Sequence, residues 1–420
     1  MTSTLSAGTP AVVLMDPVGA SINFKPQVSE RGMAVISVYT MPREHIHVRW
    51  PDHAAGDTVS LYAAELEEIR AMLGELNADI RAVVPAFDVA VDKADTLAEE
   101  LGLPGNGARL APARRDKSVM RETAARAGIR IPRYVLVEDA ADILRAADAV
   151  GFPAFVKQTA GAASHGTRLL SRPQDAGDLS ALHRTDHFGR PVRAWLVEQY
   201  VRGRELGVNF FSHDGVHHIV DIWEYRQPDD RDYSFPYWDW AQIPPDDPDW
   251  QTAVDYVRQV LDAFGVRLGP SHTEIKISGG DAYLIELGAR LPAYPMIDAW
   301  MARSDLDPHR QSLASRLGEV PKIATAPVKL DGFCGANAMR NDGPPGRLIE
   351  IRGLDKVPRL PGVDQVLVGY QAGDIVPTTD SIRTIPVKVS VSAPDYPELL
   401  QRLSAVRDTV EFVIEPVSRP

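Results

Sequence analysis

A single cysteine, Cys334, stands in 420 residues. An internal disulfide needs two cysteines and a cysteine-built zinc site needs several, so both are excluded. A lone thiol in this setting reads as a small, buried apolar group. No apolar run approaches the roughly 20 residues that span a bilayer. The N-terminus, MTSTLSAGTPAVVLMD, has neither the basic start nor the long apolar stretch of a secretory leader. Positive charge is also in deficit: 45 Lys and Arg against 57 Asp and Glu leave a net charge of −12. That argues against broad affinity for nucleic acid or an anionic membrane, but not against a nucleotide held by a local basic site. Two common nucleotide fingerprints are missing. The turn Asp16-Pro17-Val18-Gly19-Ala20-Ser21 lacks G-x-G-x-x-G, and the loop containing Gly161 and Gly166 ends in Thr167-Arg168 where a P-loop needs Lys-Ser/Thr. No convincing Ser/His/Asp or Cys/His nucleophile arrangement is present. His45/His47 and His217/His218 lack a third ligand in register, so a metal at either is not expected. What remains is 44% apolar and 24% charged, an ordinary balance for a globular cytoplasmic protein with two or three cored domains.

Strand and helix patterns alternate at the start of the chain. Strands are expected at 11–15, 34–39 and 80–84, and helices before Gly32, over 58–73 and over 92–101. Such alternation implies a parallel sheet in a three-layer α/β domain, here residues 1–113. The Gly/Pro/Ala-rich stretch 102–115 reads as a linker, and Asp116 as the N-cap of a helix running to Gly128. A helix near 139–149 and strands at 154–157, 167–171 and 195–201 follow. A hairpin over 206–222 and a helix over 250–264 come next. The middle domain is set at 114–320, with a lid at about 130–200. Short β-like runs with Gly/Pro punctuation set 321–420 apart as a C-terminal β-rich or α+β domain.

The segment Ser271–Arg290 carries the most chemistry. It reads as two strands around a Gly-Gly-Asp turn. Ile275, Ile277, Tyr283, Ile285 and Leu287 form one face, while Glu274, Lys276, Glu286, Gly288 and Arg290 fall on the other. Two glutamates meeting on a half-buried sheet need a counter-cation, and hard oxygen ligands suit Mg²⁺, which usually arrives with a nucleotide's phosphates. An ordinary hairpin with solvated charges is the alternative. A four-residue turn would pair Ile277 with Ala282 and send the glutamates to opposite faces. A five-residue connection, or an equivalent bulge, sets Glu274 against Glu286 and is the expectation.

Other positions are less specific. Lys157 ends a strand and precedes small residues through Gly161, Ser164, His165 and Gly166, which suit either a glycine flap over a triphosphate or a plain hairpin turn. Glu198, Gln199, Tyr200 and Val201 leave a strand whose edge could read an adenine, and Glu205 could accept ribose hydroxyls or be an ordinary surface glutamate. The stretch 223–240 holds seven aromatics and a run of aspartates. It is either a substrate-covering loop, with Arg226 as a carboxylate clamp, or a structural lid. His272 either binds substrate or orients Thr273.

Four segments in order resemble the ATP-grasp superfamily: Arg115–Arg121, the stretch Phe152–Gly166 with its Lys157, Val197–Glu205, and Thr273–Arg290. Within it the chain is similar to carboxylate–amine ligases of the L-amino-acid ligase (dipeptide synthetase) type, especially over residues 101–128 and at Gly-Pro-Ser-His-Thr-Glu. The resemblance implies an ATP-grasp fold with an N-terminal parallel-sheet domain and a C-terminal α+β domain. It implies ATP and Mg²⁺, or Mn²⁺, as cofactors, and amino-acid substrates joined through an acyl phosphate. A homodimer is compatible with it, as is a part in making a peptide-like small metabolite. It places Lys117 and Lys157 on ATP phosphates, Glu198 and Val201 at the adenine, Glu205 on the ribose, Glu274 and Glu286 on the metal, and Arg290 at the acyl phosphate. Two departures stand out. Gly288 occupies the Asn position of the usual Glu-x-Asn-x-Arg, and Asp88 stands where relatives often carry Glu, which questions a role on the substrate amine. The rivals are an ATP-grasp carboxylase or purine-pathway ligase, and a non-catalytic nucleotide-binding regulator.

Overall fold

The computed structural model describes residues 5–161, 166–176, 185–186, 190–235 and 237–416. Strands β1 (Pro10–Met15), β2 (Ala34–Tyr39), β3 (Val59–Tyr62) and β4 (Asp79–Pro85) form a parallel sheet in the order β3-β2-β1-β4. Helices α1 (Phe24–Ser29), α2 (Arg43–Arg49), α3 (Leu66–Leu76) and α4 (Val91–Glu100) connect and cover it. The two central strands are buried along almost their whole length, as a sheet covered on both faces requires. The helix expected over 58–73 is divided. Val59 and Leu61 alternate with half-buried neighbours as strand β3, and the helical spacing begins only at Leu66. Four residues of period two had been absorbed into a longer period of 3.6.

Asp116 accepts from the amides of Ser118 and Val119, and so starts α5 (Lys117–Arg126). A smaller antiparallel sheet follows, from β5 (Tyr134–Val137), β6 (Ala154–Gln158), β7 (Arg168–Leu170) and β8 (Trp195–Gln199), in the order β5-β8-β6-β7. Helix α6 (Ile143–Val150) packs its apolar stripe, Ile143, Ala146, Ala147 and Val150, against that sheet.

The central sheet has eight strands. β9 (Arg204–His213), β10 (Val216–Arg226), β11 (Asp239–Gln242), β12 (Gly269–Ser278) and β13 (Asp281–Gly288) come from the middle of the chain. Leu206, Val208 and Phe210 of β9 and Ile275 and Ile277 of β12 pack under α7 (Trp250–Ala263). The alternate residues point to the other face, toward the small sheet and the N-terminal domain. Helices α8 (Met296–Arg303) and α9 (Pro308–Arg316) follow β13.

The C-terminal residues do not form a detached sheet. β14 (Phe333–Met339), β16 (Val363–Val368) and β18 (Val387–Ala393) continue the central sheet beyond β11, in the order β11-β14-β18-β16. Only β15 (Gly346–Arg352), β17 (Ile375–Val376) and β19 (Glu411–Pro416) make a separate three-stranded sheet. Helix α10 (Tyr396–Thr409) packs Leu399, Leu403 and Val406 onto β18 and Ala241. Cys334 is buried, and burial pushes its thiol up to about 12, consistent with an inert apolar role. No helix among the described residues is long and apolar enough to cross a membrane.

Candidate active site

The hairpin β12–β13 turns through Gly279-Gly280, both at positive φ, with Ser278 paired to Asp281. This is the tight two-residue geometry that glycine permits. The connection is therefore not five residues long, and Ile277 pairs with Ala282. A bulge between Glu274 and Ile275 then shifts the register by one, so that Glu274 lies opposite Glu286 and His272 opposite Gly288. The two carboxylates share a face because of that one extra residue. The bulge also corrects the apolar face on β13: Ala282, Leu284 and Leu287 enter the core, while Ile285 lines the cleft and Tyr283 is half-buried.

Lys117 and Arg121 lie one helical turn apart on α5 and project toward this face together. The Lys117 ammonium donates to Glu286 Oε1 at 2.7 Å and to the Gly161 carbonyl at 2.7 Å. Arg121 pairs with Glu198 and donates to the Ile285 carbonyl at 2.7 Å. Lys157 meets the second oxygen of Glu198 at 2.6 Å. Burial pushes the Glu198 carboxyl up, but Arg121 and Lys157 outweigh it and hold the group at about 2. Burial lowers Lys157 to about 8, with Glu198 opposing the shift. Glu198 lines the cleft, and each of its oxygens meets a cation, Oε1 with Arg121 and Oε2 with Lys157. Arg121 escaped sequence reasoning, although its spacing of four from Lys117 was a usable signal.

The cleft's apolar wall includes Phe155, Tyr200, Val201 and Ile285, and Gln199 and Gly161 also line it. Glu205 faces Lys276 at 3.3 Å from the neighbouring strand, and the Lys276 ammonium sits 4.5 Å above the Tyr200 ring. Burial raises the Glu205 carboxyl, against the pull of Lys276. Thr167 reaches the Ser234 carbonyl, and Tyr233 and Tyr237 close another side. Gly166 packs against Gln158 at the end of the loop between β6 and β7. Ser164 and His165 lie outside the described residues.

Further along the same face, His272 bonds Asn209 Oδ1 through Nδ1 at 2.7 Å and the Tyr225 hydroxyl through Nε2 at 2.9 Å. Glu274 Oε1 is 3.7 Å from Nε2. Burial raises the Glu274 carboxyl, and His272, Arg290 and Lys117 together pull it below the ordinary range. A Cβ at position 207 would lie 2.8 Å from the Tyr225 oxygen and 2.9 Å from His272 Cε1, so glycine there lets the two rings meet. Asn209, Gly207 and Tyr225 had no signal in the sequence beyond their strand positions.

Arg290 lies just past β13. Its guanidinium folds over Gly288, where a Cβ would meet Arg290 Cζ at 3.1 Å. The Asn position of the family pattern is thus covered by the arginine itself. Arg290 Nε lies 3.4 Å from Asp88 Oδ1, and Arg115 lies 3.5 Å from the other oxygen. Burial raises Asp88, and the two guanidinium groups outweigh it and hold the carboxyl low. Asp88, in the loop after β4, therefore joins the N-terminal domain to the site.

Arg226 does not join this constellation. Strand alternation puts it on the face of β10 opposite Tyr225, beside Glu224, in a groove with Arg202 and Arg231. Among the described residues no group of three His, Cys, Asp or Glu is arranged to hold a metal ion.

Comparison with known proteins agrees with this architecture. Residues 150–294 match the ATP-grasp domain model, and residues 343–415 match the model of L-amino acid ligase C-terminal domain 2. The fold resembles the crystal structure of L-amino acid ligase from Bacillus licheniformis, with a TM-score of 0.72, 16% identity, and 98% of this chain and 100% of that one covered. Dapdiamide A synthase of Enterobacter agglomerans is 25% identical over 343 residues, 78% of this chain and 79% of the relative. An uncharacterized protein of Sinorhizobium fredii is 25% identical over 382 residues, 87% of this chain and 76% of its own length. The chain is an ATP-grasp protein. Within that superfamily its C-terminal residues are like those of the L-amino acid ligases.

Proposed function

We propose that this protein is an ATP-dependent carboxylate–amine ligase that joins two amino acids, or close analogues, through an acyl phosphate and releases ADP and phosphate. The observation that carries the reading is the convergence of Lys117, Lys157, Glu274, Glu286 and Arg290 on one polar sheet face, with Asp88 reaching Arg290 from the N-terminal domain. The match of 343–415 to the L-amino acid ligase domain favours this over a carboxylase or purine-pathway ligase on the same fold.

A carboxylate is a poor acyl donor because it would have to expel oxide. Transfer of the ATP γ-phosphoryl group to one of its oxygens breaks the bond to ADP and forms the acyl phosphate. The amine then attacks the carbonyl carbon, phosphate departs, and the nitrogen gives up a proton as the amide forms. Positioning and charge neutralisation carry such a reaction, and no side-chain nucleophile is needed. Lys117 and Lys157 neutralise the phosphates, the apolar wall at Tyr200 and Val201 takes the adenine, and Glu205 takes the ribose. Arg290 steadies the acyl phosphate and the tetrahedral intermediate.

Glu274 and Glu286 fit a Mg²⁺ or Mn²⁺ ion. They are opposed hard oxygen donors on one face, and in this structure Lys117 supplies the positive charge that Glu286 needs. With Gly288 in place of Asn, Glu274 and Glu286 would be the ion's protein ligands from this hairpin. When bound, the ion neutralises the phosphate tail and polarises the transferred group.

The test is phosphate release from Mg-ATP across a matrix of amino-acid pairs, with product masses recorded. Amide product in step with phosphate is expected for at least one pair. A non-catalytic regulator would bind ATP and turn over none of them. The reading places a cytoplasmic enzyme on small-molecule substrates, with no nucleic-acid or membrane partner.

A further inference from the structure

Four basic side chains gather where α2 of the N-terminal domain meets the C-terminal strands. Arg49 closes α2, and His45 lies one turn before it on the same side. Arg383 sits in the short turn before β18, and Lys388 is the second residue of that strand. The field of Arg49 acts on Arg383, on Lys388 and on His45, and Arg383 also faces His45. Like charges repel, and burying them adds a desolvation cost unless an opposite charge is present. Burial lowers Arg383 to about 10 and lowers Lys388, and in both the further contribution, from Arg49, is also repulsive.

No acid among the described residues answers them. Asp186 faces His45, but the Arg190 amide and Nε occupy its two oxygens at 2.9 Å each. Arg383 Nε and Nη2 are both buried without a hydrogen-bond partner, as is His45 Nε2. Nε and Nη2 form one edge of a guanidinium, the parallel pair of donors that accepts a carboxylate in two-point fashion. A buried donor left unpaired costs about 1–3 kcal/mol, so two on one edge mark a place built for an acceptor.

The location ties this edge to the active site. Lys388 and Ser390 alternate with the core residues Val387, Val389 and Val391, so they share the opposite face of β18. The Lys388 ammonium stands 5.2 Å from the Tyr294 ring centre, and Ser390 Oγ is 3.2 Å from the Tyr294 hydroxyl. Tyr294 comes four residues after Arg290 on the same connection.

We propose that Arg383, Lys388 and Arg49, with His45 at the rim, form a carboxylate-binding site that holds the far end of a substrate whose reacting end lies at Arg290. The two-point edge of Arg383 grips the carboxylate, and Lys388 and Arg49 supply the charge. The assignment to a substrate rests on the ligase reading; the anion site itself does not. One of the joined molecules then carries a carboxylate that takes no part in the reaction, as the second amino acid of a dipeptide does.

The test uses the full chain saturated with MgADP, so that the nucleotide's phosphate positions are filled. Thermal unfolding is followed against succinate or inorganic phosphate at constant ionic strength. Succinate is expected to raise Tm, with its half-saturating concentration increased about tenfold or more in R383Q and K388Q, as loss of a charge-assisted hydrogen bond predicts. R49Q removes an exposed side chain, and it should weaken succinate as well. Stabilisation by phosphate and not succinate, or a succinate effect the three variants leave intact, overturns the proposal. In ligation assays, wild-type protein should prefer an amino acid over its amide at the end that carries the spare carboxylate, and R383Q should lose that preference. Succinate binding that depends on these residues sustains the anion site even where no pair is ligated. Ligation in which R383Q keeps the preference overturns the substrate assignment while leaving the ligase reading in place.

Discussion

Glu198 illustrates how a residue can be found by pattern while its partners stay hidden. Its place on a strand beside the cleft was legible, and so were Lys117 and Lys157. What a one-dimensional pattern could not contain was Arg121, 77 positions away and 2.5 Å from the carboxylate. The pair of cations, Arg121 and Lys157, makes Glu198 a buried brace along the cleft. Glu198→Gln should therefore destabilise the protein by about 3–5 kcal/mol, because it strands two buried positive charges; a fall in Tm checks it, and an unchanged Tm contradicts it. The wild-type carboxyl titrates lower in the folded chain than in the unfolded one. Its stabilisation is complete above the ordinary carboxylate range near 4.5 and is lost as pH falls through about 2. Lys157 behaves in the opposite sense. Its folded value near 8 lies below 10.5, so it loses charge as pH rises through 8. Affinity for Mg-ATP should decline over that interval, and Lys157→Arg should remove the inflection in a plot of KM against pH. Arg290→Ala should abolish amide formation and leave ATP binding measurable by calorimetry.

At the scale of elements, the bulge on the β12–β13 hairpin decides whether the site exists. In the register of the turn, Glu274 would face Ile285 and Glu286 would look into the core. The alternation of Ile275 and Ile277 with Glu274 and Lys276 made the polar face legible, and the need to bring two acids together made an irregularity expected. Its position was not legible, because a bulge is fixed by neighbouring strands on both sides. The split of 58–73 into β3 and α3 failed for a related reason: Val59 and Leu61 are a strand only because β2 lies beside them. Gly288 yields an element-level prediction. Gly288→Asn restores the residue usual in the family, but its side chain must displace the Arg290 guanidinium. Turnover at saturating Mg²⁺ should drop at least about tenfold, the factor that follows from losing a stabilisation of 1.4 kcal/mol. A variant as fast as the wild type would mean that the arginine's position over Gly288 is dispensable.

The molecule as a whole is joined more tightly than its segment boundaries suggest. Asp95 on α4 is fully buried between Arg114, at 3.0 Å, and Arg316 on α9, at 2.8 Å. This ties the first hundred residues to the stretch after the β12–β13 hairpin. β14 pairs with β11, so the sheet runs on past residue 320. Neither link could be read along the chain, since each joins residues far apart in sequence and leaves no local mark. A protein ending at 320 should lose cooperative unfolding and ATP binding together, because the edge of β11 and the core around Trp223, Trp240 and Ala336 would be opened to water. Recovery of a folded, nucleotide-binding 1–320 fragment would refute this.

The aromatic stretch after β10 is fastened on two sides just before β11. Ser234 accepts Thr167 on its carbonyl and the Leu169 amide on its hydroxyl, while Arg340, at the end of β14, donates to the carbonyls of Phe235 and Tyr237 and stacks on Trp238. Moving β7 away from this stretch would either break the two hydrogen bonds to Ser234 or pull the strap against its anchor at Arg340. The position of β7 is thereby coupled to β14, whose sheet neighbour β18 carries Lys388 and follows the turn that holds Arg383.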